Sequence, residues 1–212
     1  MADPEASSRY RGAGGPIGIL GGTFNPPHVA HLLLASEARS QLELERVLLM
    51  PAGVPPHKEM PDDPGIEHRL AMCRLAAAAY SDWLGVSELE AERDGPSYTV
   101  DTLREIHARH PGDELTFIVG GDMAWSLPSW REPAAILELA RLAVAERVGA
   151  RREEVREQLA VLAGADRVSY IDVPRIDVSS AALRQRVRGG QPIAFLVPDV
   201  VGDYIAQQGL YA

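Results

Sequence analysis

Two histidines stand three residues apart in GGTFNPPHVAH, residues 21–31, behind two glycines and two prolines. An alanine- and leucine-rich stretch follows, so the pair falls in the first turn of a helix, where positions three apart share a face. Two imidazoles placed there can donate hydrogen bonds to phosphate oxygens. The helix adds its own free N–H groups and the positive end of its dipole, both aimed back at the turn. Gly21 and Gly22 have access to backbone angles closed to other residues and let a ligand approach the main chain, while Pro26 and Pro27 stiffen the entry to the helix. Seen singly, either histidine also reads as a capping or packing residue. Zinc is the weaker alternative, because no third ligand of suitable type stands nearby. The segment is neither a Walker loop nor G-x-G-x-x-G, so a phosphate site here is of another kind.

Such a turn needs a strand before it and a helix after it, and the chain repeats that unit. Short β-prone runs at 17–20, 46–51, 83–87, 115–120, 141–146 and 167–173 alternate with helical patterns at 29–42, 66–80, 99–109, 132–139 and 151–162. Near the end, VSSAALRQRVRGG reads as a helix with a serine cap and a glycine stop, and VPDVVGDYIAQQ as a helix opened by proline. The alternation predicts an α/β fold: a doubly wound, mainly parallel sheet in a single domain over residues 17–212, behind a disordered tail of residues 1–16. In such sheets ligands sit beyond the carboxyl ends of the strands, where connections diverge to opposite faces. Three unusual segments fall at such ends and are expected to share one cleft: 21–31, 51–58 and 120–130.

Composition narrows the function classes. A net charge of -9 argues against a nucleic-acid-binding surface, though a few local cations and N–H groups still suffice for a small anion. The single cysteine, Cys73, lies in an apolar helical pattern and cannot form an internal disulfide, which suits a reducing cytoplasm. Residues 1–16 carry no apolar core of the signal-peptide kind, and no later run is long enough to span a bilayer.

GGTFNPPHVAH resembles the GGTFDPPHxGH signature of the bacterial nicotinate mononucleotide adenylyltransferases, within the HxGH nucleotidylyltransferase superfamily. VPPHK (54–58), EHRLAM (67–72), GPSYTVDTL (95–103), FIVGGDMAWSLPSW (117–130), VSSAALR (178–184) and YIAQQGLY (204–211) resemble further segments of that family, in family order. The resemblance implies a Rossmann-like nucleotidylyltransferase fold. It also implies a reaction: nicotinate mononucleotide attacks the α-phosphorus of ATP, with magnesium required, to give nicotinate adenine dinucleotide and pyrophosphate. The nucleophile is already an anion, so the task is placement of two anions and stabilisation of charge on the transferring phosphoryl group.

The same resemblance implies residue roles. ATP is held by Gly21, Gly22, Thr23, Phe24, His28, His31, Ser179, Ser180 and Arg184, with His31 at the α-phosphate and Ser179, Ser180 and Arg184 at the β- and γ-oxygens. The mononucleotide is held by Lys58, Tyr98, Thr99, Asp122 and Trp130. Helix-start N–H groups at Tyr98 and Thr99 receive its carboxylate, Trp130 stacks on the pyridine ring, and Asp122 takes the ribose or acts indirectly on the metal. His28, His31, Lys58 and Arg184 form the catalytic set, and no protein group is assigned as a metal ligand. No partner protein, nucleic acid or membrane is expected, and a homo-oligomer is left open.

Three positions depart from the family pattern: Asn25 for Asp, Ala30 for Gly, and Ala181 for Thr. They keep two other readings open, a non-catalytic nucleotide-binding regulatory protein on the same fold and a phosphopantetheine adenylyltransferase. The latter is typically shorter and lacks the GPSYTVDTL and LPSW segments.

Overall fold

The computed structural model describes residues 15–56, 60, 62–146 and 150–212. Its centre is one six-stranded sheet: β1 (Pro16–Gly22), β2 (Arg46–Pro51), β3 (Leu84–Val86), β4 (Glu114–Gly120), β5 (Arg141–Ala145) and β6 (Val168–Ile171). The spatial order is β3-β2-β1-β4-β5-β6, with every adjacent pair parallel. The helices are α1 (Val29–Gln41), α2 (Ile66–Ala77), α3 (Thr99–Arg109), α4 (Gly121–Ser126), α5 (Pro133–Leu139), α6 (Ala150–Leu159), α7 (Ser180–Arg188) and α8 (Asp199–Gln208). Among the described residues, no helix is long and apolar enough to cross a membrane.

The strands read as continuous apolar runs because both faces of the sheet are covered. Alternate residues of one strand enter different cores. Ile19, Phe117, Val119, Leu142 and Val144 pack with α3, α5 and α6 through Val100, Leu103, Ile136, Leu137, Val155 and Leu159. Leu20, Leu49, Ile118 and Ala143 pack with α1 and α2 through Ala35, Ala38, Leu70 and Cys73. A buried leucine or isoleucine of this kind contributes about 1.5–3 kcal/mol. A third cluster joins Met72 and Ala76 of α2 to Leu183, Val197, Val201 and Ile205, and contains no strand residue.

The chain winds outward from β1 to β3 and then returns to lay β4 on the other side of β1. Connections therefore diverge between β1 and β4, and the crevice lies at the carboxyl ends of those two strands. Ser179 caps α7 by accepting a hydrogen bond from the Ala182 N–H at 3.2 Å, and Gly189 ends that helix.

Two features differ from the sequence expectation. Residues 121–126 form α4, where the sequence offers only an irregular segment. The helix is one and a half turns, begins at a glycine pair, and buries only Gly121 and Ala124, so it leaves no apolar periodicity. Gly21 and Gly22 continue β1, in register with Met50 and Pro51, and neither takes a positive φ. Their use is space: a Cβ at Gly21 would meet the Phe117 ring at 3.3 Å, and one at Gly22 the Phe24 ring at 3.2 Å. The left-handed residue of the turn is Phe24, at φ 47°.

Candidate active site

The first loop is fixed from below and from the side. Phe24 is fully buried and presents its ring to the edge of His31, centroids 4.9 Å apart. Asn25 is also buried. Its Oδ1 accepts from the Tyr211 hydroxyl at 2.6 Å and its Nδ2 donates to the Asp62 carbonyl at 3.3 Å. The carbonyls of the next turn face α7: Arg184 Nη1 donates to the Asn25 oxygen at 2.8 Å, and Ser180 Oγ donates to the Pro26 oxygen at 2.8 Å. The histidine motif and the serine–arginine motif thus meet across 154 residues of sequence.

The two histidines share a face as expected, with stacked rings 3.7 Å apart. His28 occupies the N-cap of α1, and its backbone N–H donates to His31 Nδ1 at 3.2 Å. A ring nitrogen that accepts is unprotonated, so the neutral His31 ring carries its hydrogen on Nε2 and can donate from there. Burial pulls the His28 pKa down to about 4, so this imidazole is neutral at neutral pH. Its Nδ1 is buried with no hydrogen-bond partner among the described residues. The formal cation of the pair of motifs is Arg184, which is mostly buried and also faces the Asp62 carboxylate at 3.4 Å. A polyphosphate entering here would compete with Asp62 for it.

Arg69 joins this loop to the second. Its side chain is 1% exposed and paired with Asp63 at 2.9 Å. Nη1 donates to the carbonyls of Thr23 at 3.1 Å and Ala52 at 2.7 Å, and Nη2 to that of Gly53 at 3.2 Å. Beyond it, Ser97 Oγ accepts from the N–H groups of Gly53 at 3.0 Å and Val54 at 3.3 Å, and the Ser97 N–H donates to the Val54 carbonyl at 2.8 Å. Gly53 is required by close approach: a Cβ there would lie 2.2 Å from the Glu90 carbonyl oxygen.

Ser97 leads directly into Tyr98, the N-cap of α3, and Thr99, its first residue. The Arg131 guanidinium lies over the Tyr98 ring at 4.9 Å and pairs with Asp101 at 3.1 Å, which brings the segment after Trp130 against the start of α3. Trp130 is half-buried, with its ring edge-on to Phe117 at 6.2 Å and its Nε1 donating to Ser126 Oγ at 2.9 Å. Asp122, in the first turn of α4, is exposed and paired with Arg151 of α6. Lys58 lies outside the described residues.

Sequence reasoning assigned no role to Arg69, Ser97 or Tyr211. For Arg69 a signal existed. Ile66, Leu70, Cys73 and Ala77 form a helical apolar stripe, and Arg69 stands within it, three residues after Ile66. A lone arginine on a buried face must find several acceptors.

Imidazole and main-chain donors with one guanidinium, set at the switch point of a doubly wound sheet, define a nucleotidyl-transfer class of protein. In accord with this, the cytidylyltransferase-like family matches residues 19–186. A Geobacter sp. (strain M21) protein named "Probable nicotinate-nucleotide adenylyltransferase" is 43% identical over 211 residues, covering 92% of this chain and 97% of its own length. A Roseiflexus sp. (strain RS-1) protein of the same name is 46% identical over 198 residues, covering 92% and 98%. The chain belongs to the nicotinate-nucleotide adenylyltransferase family. Among solved structures, the Plasmodium falciparum nicotinic acid mononucleotide adenylyltransferase complexed with NaAD aligns with a TM-score of 0.76 at 19% identity, covering 93% of this chain and 97% of that one. At that identity the likeness speaks for the fold, a Rossmann-like nucleotidylyltransferase fold.

Proposed function

We propose that the protein transfers the adenylyl group of ATP to nicotinate mononucleotide, releasing pyrophosphate and forming nicotinate adenine dinucleotide in NAD biosynthesis. The observation that carries this reading is the junction of the two motifs, where Ser180 and Arg184 bond the carbonyls just ahead of His28. A phosphate oxygen of the mononucleotide forms a bond to the α-phosphorus, and the bond from that phosphorus to the bridging oxygen of pyrophosphate breaks. The attacking group is an anion already, so the protein's part is positioning and charge stabilisation. His31 donates from Nε2 to the α-phosphate, and neutral His28 lies stacked beside it. The start of α7, with Ser179, Ser180 and Arg184, receives the β- and γ-oxygens, and the main chain from Gly21 to Phe24 lies along the nucleotide.

On the acceptor side, the start of α3 at Tyr98 and Thr99 takes the nicotinate carboxylate, Trp130 stacks on the pyridine, Asp122 exchanges Arg151 for the ribose or acts indirectly on the metal, and Lys58 supplies a mobile cation. Magnesium, which the reaction requires, would supply charge neutralisation on the triphosphate, with no residue of this chain assigned as its ligand. The buried free thiol of Cys73 fits a reducing cytoplasm as the place of reaction.

The test is pyrophosphate release from ATP and magnesium with each candidate acceptor. Nicotinate mononucleotide should yield product, and phosphopantetheine none. Binding of ATP with no product from any pyridine mononucleotide would replace this reading with a non-catalytic one.

A further inference from the structure

We propose that Arg69 is a positioning residue that holds the ATP loop and the acceptor loop in one fixed relation, so that its loss slows transfer without weakening the binding of either substrate. The inference rests on the transfer reaction proposed above. Arg69 touches neither reacting centre. Its guanidinium spans the carbonyl of Thr23, in the loop that lies along ATP, and those of Ala52 and Gly53, in the loop after β2. From Gly53 the connection continues through Ser97 Oγ to the residue before Tyr98, where the mononucleotide carboxylate is received. The two half-sites are therefore linked by one planar group and one hydroxyl, both buried.

The chemistry of the residue fits that task better than a packing task. A buried apolar side chain could occupy the space on α2 but would take this donor from the carbonyls of Thr23, Ala52 and Gly53. Asp63 balances the charge and is itself held by the Gly65 N–H at 3.1 Å, so the guanidinium plane is set from its Nε edge. The two remaining nitrogens then point at three carbonyls on two loops. Lysine keeps the charge but offers no planar fork, so it cannot reproduce that bridge. Transfer between two bound anions depends steeply on placement, with an error of about 1 Å costing on the order of 100-fold in rate.

The experiment compares wild type with Arg69→Lys, Arg69→Ala and Ser97→Ala in steady-state kinetics, on protein verified as folded by circular dichroism. For Arg69→Lys, kcat should fall about 10- to 100-fold while KM for ATP and for the mononucleotide each stay within about threefold. Added guanidinium ion at non-denaturing concentration should restore part of kcat in Arg69→Ala, a result that packing alone would not produce. A kcat within twofold of wild type, or a loss confined to one KM, would overturn the proposal. Should the Arg69 variants fail to fold, Ser97→Ala decides: it breaks the same link at its far end and must lower kcat with both KM values kept. A wild type inert with ATP and nicotinate mononucleotide would instead refute the reaction. The positioning claim would then be read from amide exchange, where loss of the Ser97 hydroxyl must raise exchange at both 52–54 and 97–99. A change on one side only would refute it.

Discussion

Acidification from pH 7 to pH 5 should weaken the fold through His28, and the amount follows from its burial. The ring has a pKa of about 4 in the folded protein against 6.5 when exposed. Between those values the unfolded chain takes up a proton that the folded chain refuses. Stability is therefore intact above 6.5, falls as pH drops through the window, and stops falling below 4. Linkage puts the loss between pH 7 and pH 5 at about 2 kcal/mol, on the way to roughly 3 kcal/mol at the lower limit. The assay is urea unfolding of wild type and His28→Asn at both pH values. Subtraction removes other titrations, including that of Glu90, whose carboxyl is pushed up by burial and so acts in the opposite direction. With a urea slope of about 2 kcal/mol per molar, the wild-type midpoint should drop about 1 M further than that of the variant. Equal drops would refute a neutral, desolvated His28.

Two further outcomes test the supports of the site. Tyr211→Phe removes the hydroxyl that donates to buried Asn25 Oδ1 at 2.6 Å and should cost about 1–2 kcal/mol, read as a Tm roughly 2–8 °C lower. Gly53→Ala forces a methyl group against the Glu90 carbonyl and should cost about 1–3 kcal/mol while raising KM for the mononucleotide, measured by chemical unfolding and initial rates.

The inner strands were readable because they are apolar runs covered on both faces, and the run RVLLMP coincides with β2 from Arg46 to Pro51. The helix signals that worked were chemical as well as periodic, as with Ser179 and Gly189 at the two ends of α7. Local pattern failed where the determinant was distant. Nothing in GGTFNPP marks Phe24 as the left-handed residue; the residue after it, Asn25, is held by α7, Asp62 and Tyr211, all remote in sequence. The motif pairs could be named from spacing and resemblance, but the bonds that unite them run between side chains and carbonyls, and carbonyls leave no trace in a sequence. Arg69 did stand out as a lone arginine in an apolar helical stripe, but which carbonyls it binds could not be read from the sequence.

The cluster that joins α2 to α7 and α8 has a consequence for how the molecule comes apart. Since no strand residue belongs to it, an opening of the last two helices would leave all five strand pairings closed. Such a partial opening would carry Ser179, Ser180 and Arg184 away from His31, open the third core, and break the bonds that Ser180, Arg184 and Tyr211 make to Asn25 and Pro26. A nucleotide that bridges the two sides would suppress that excursion in proportion to its occupancy. Ligand binding would then lengthen the life of the C-terminal helices far more than that of the sheet, and a protease would read the difference as a ligand-dependent cut near residue 175.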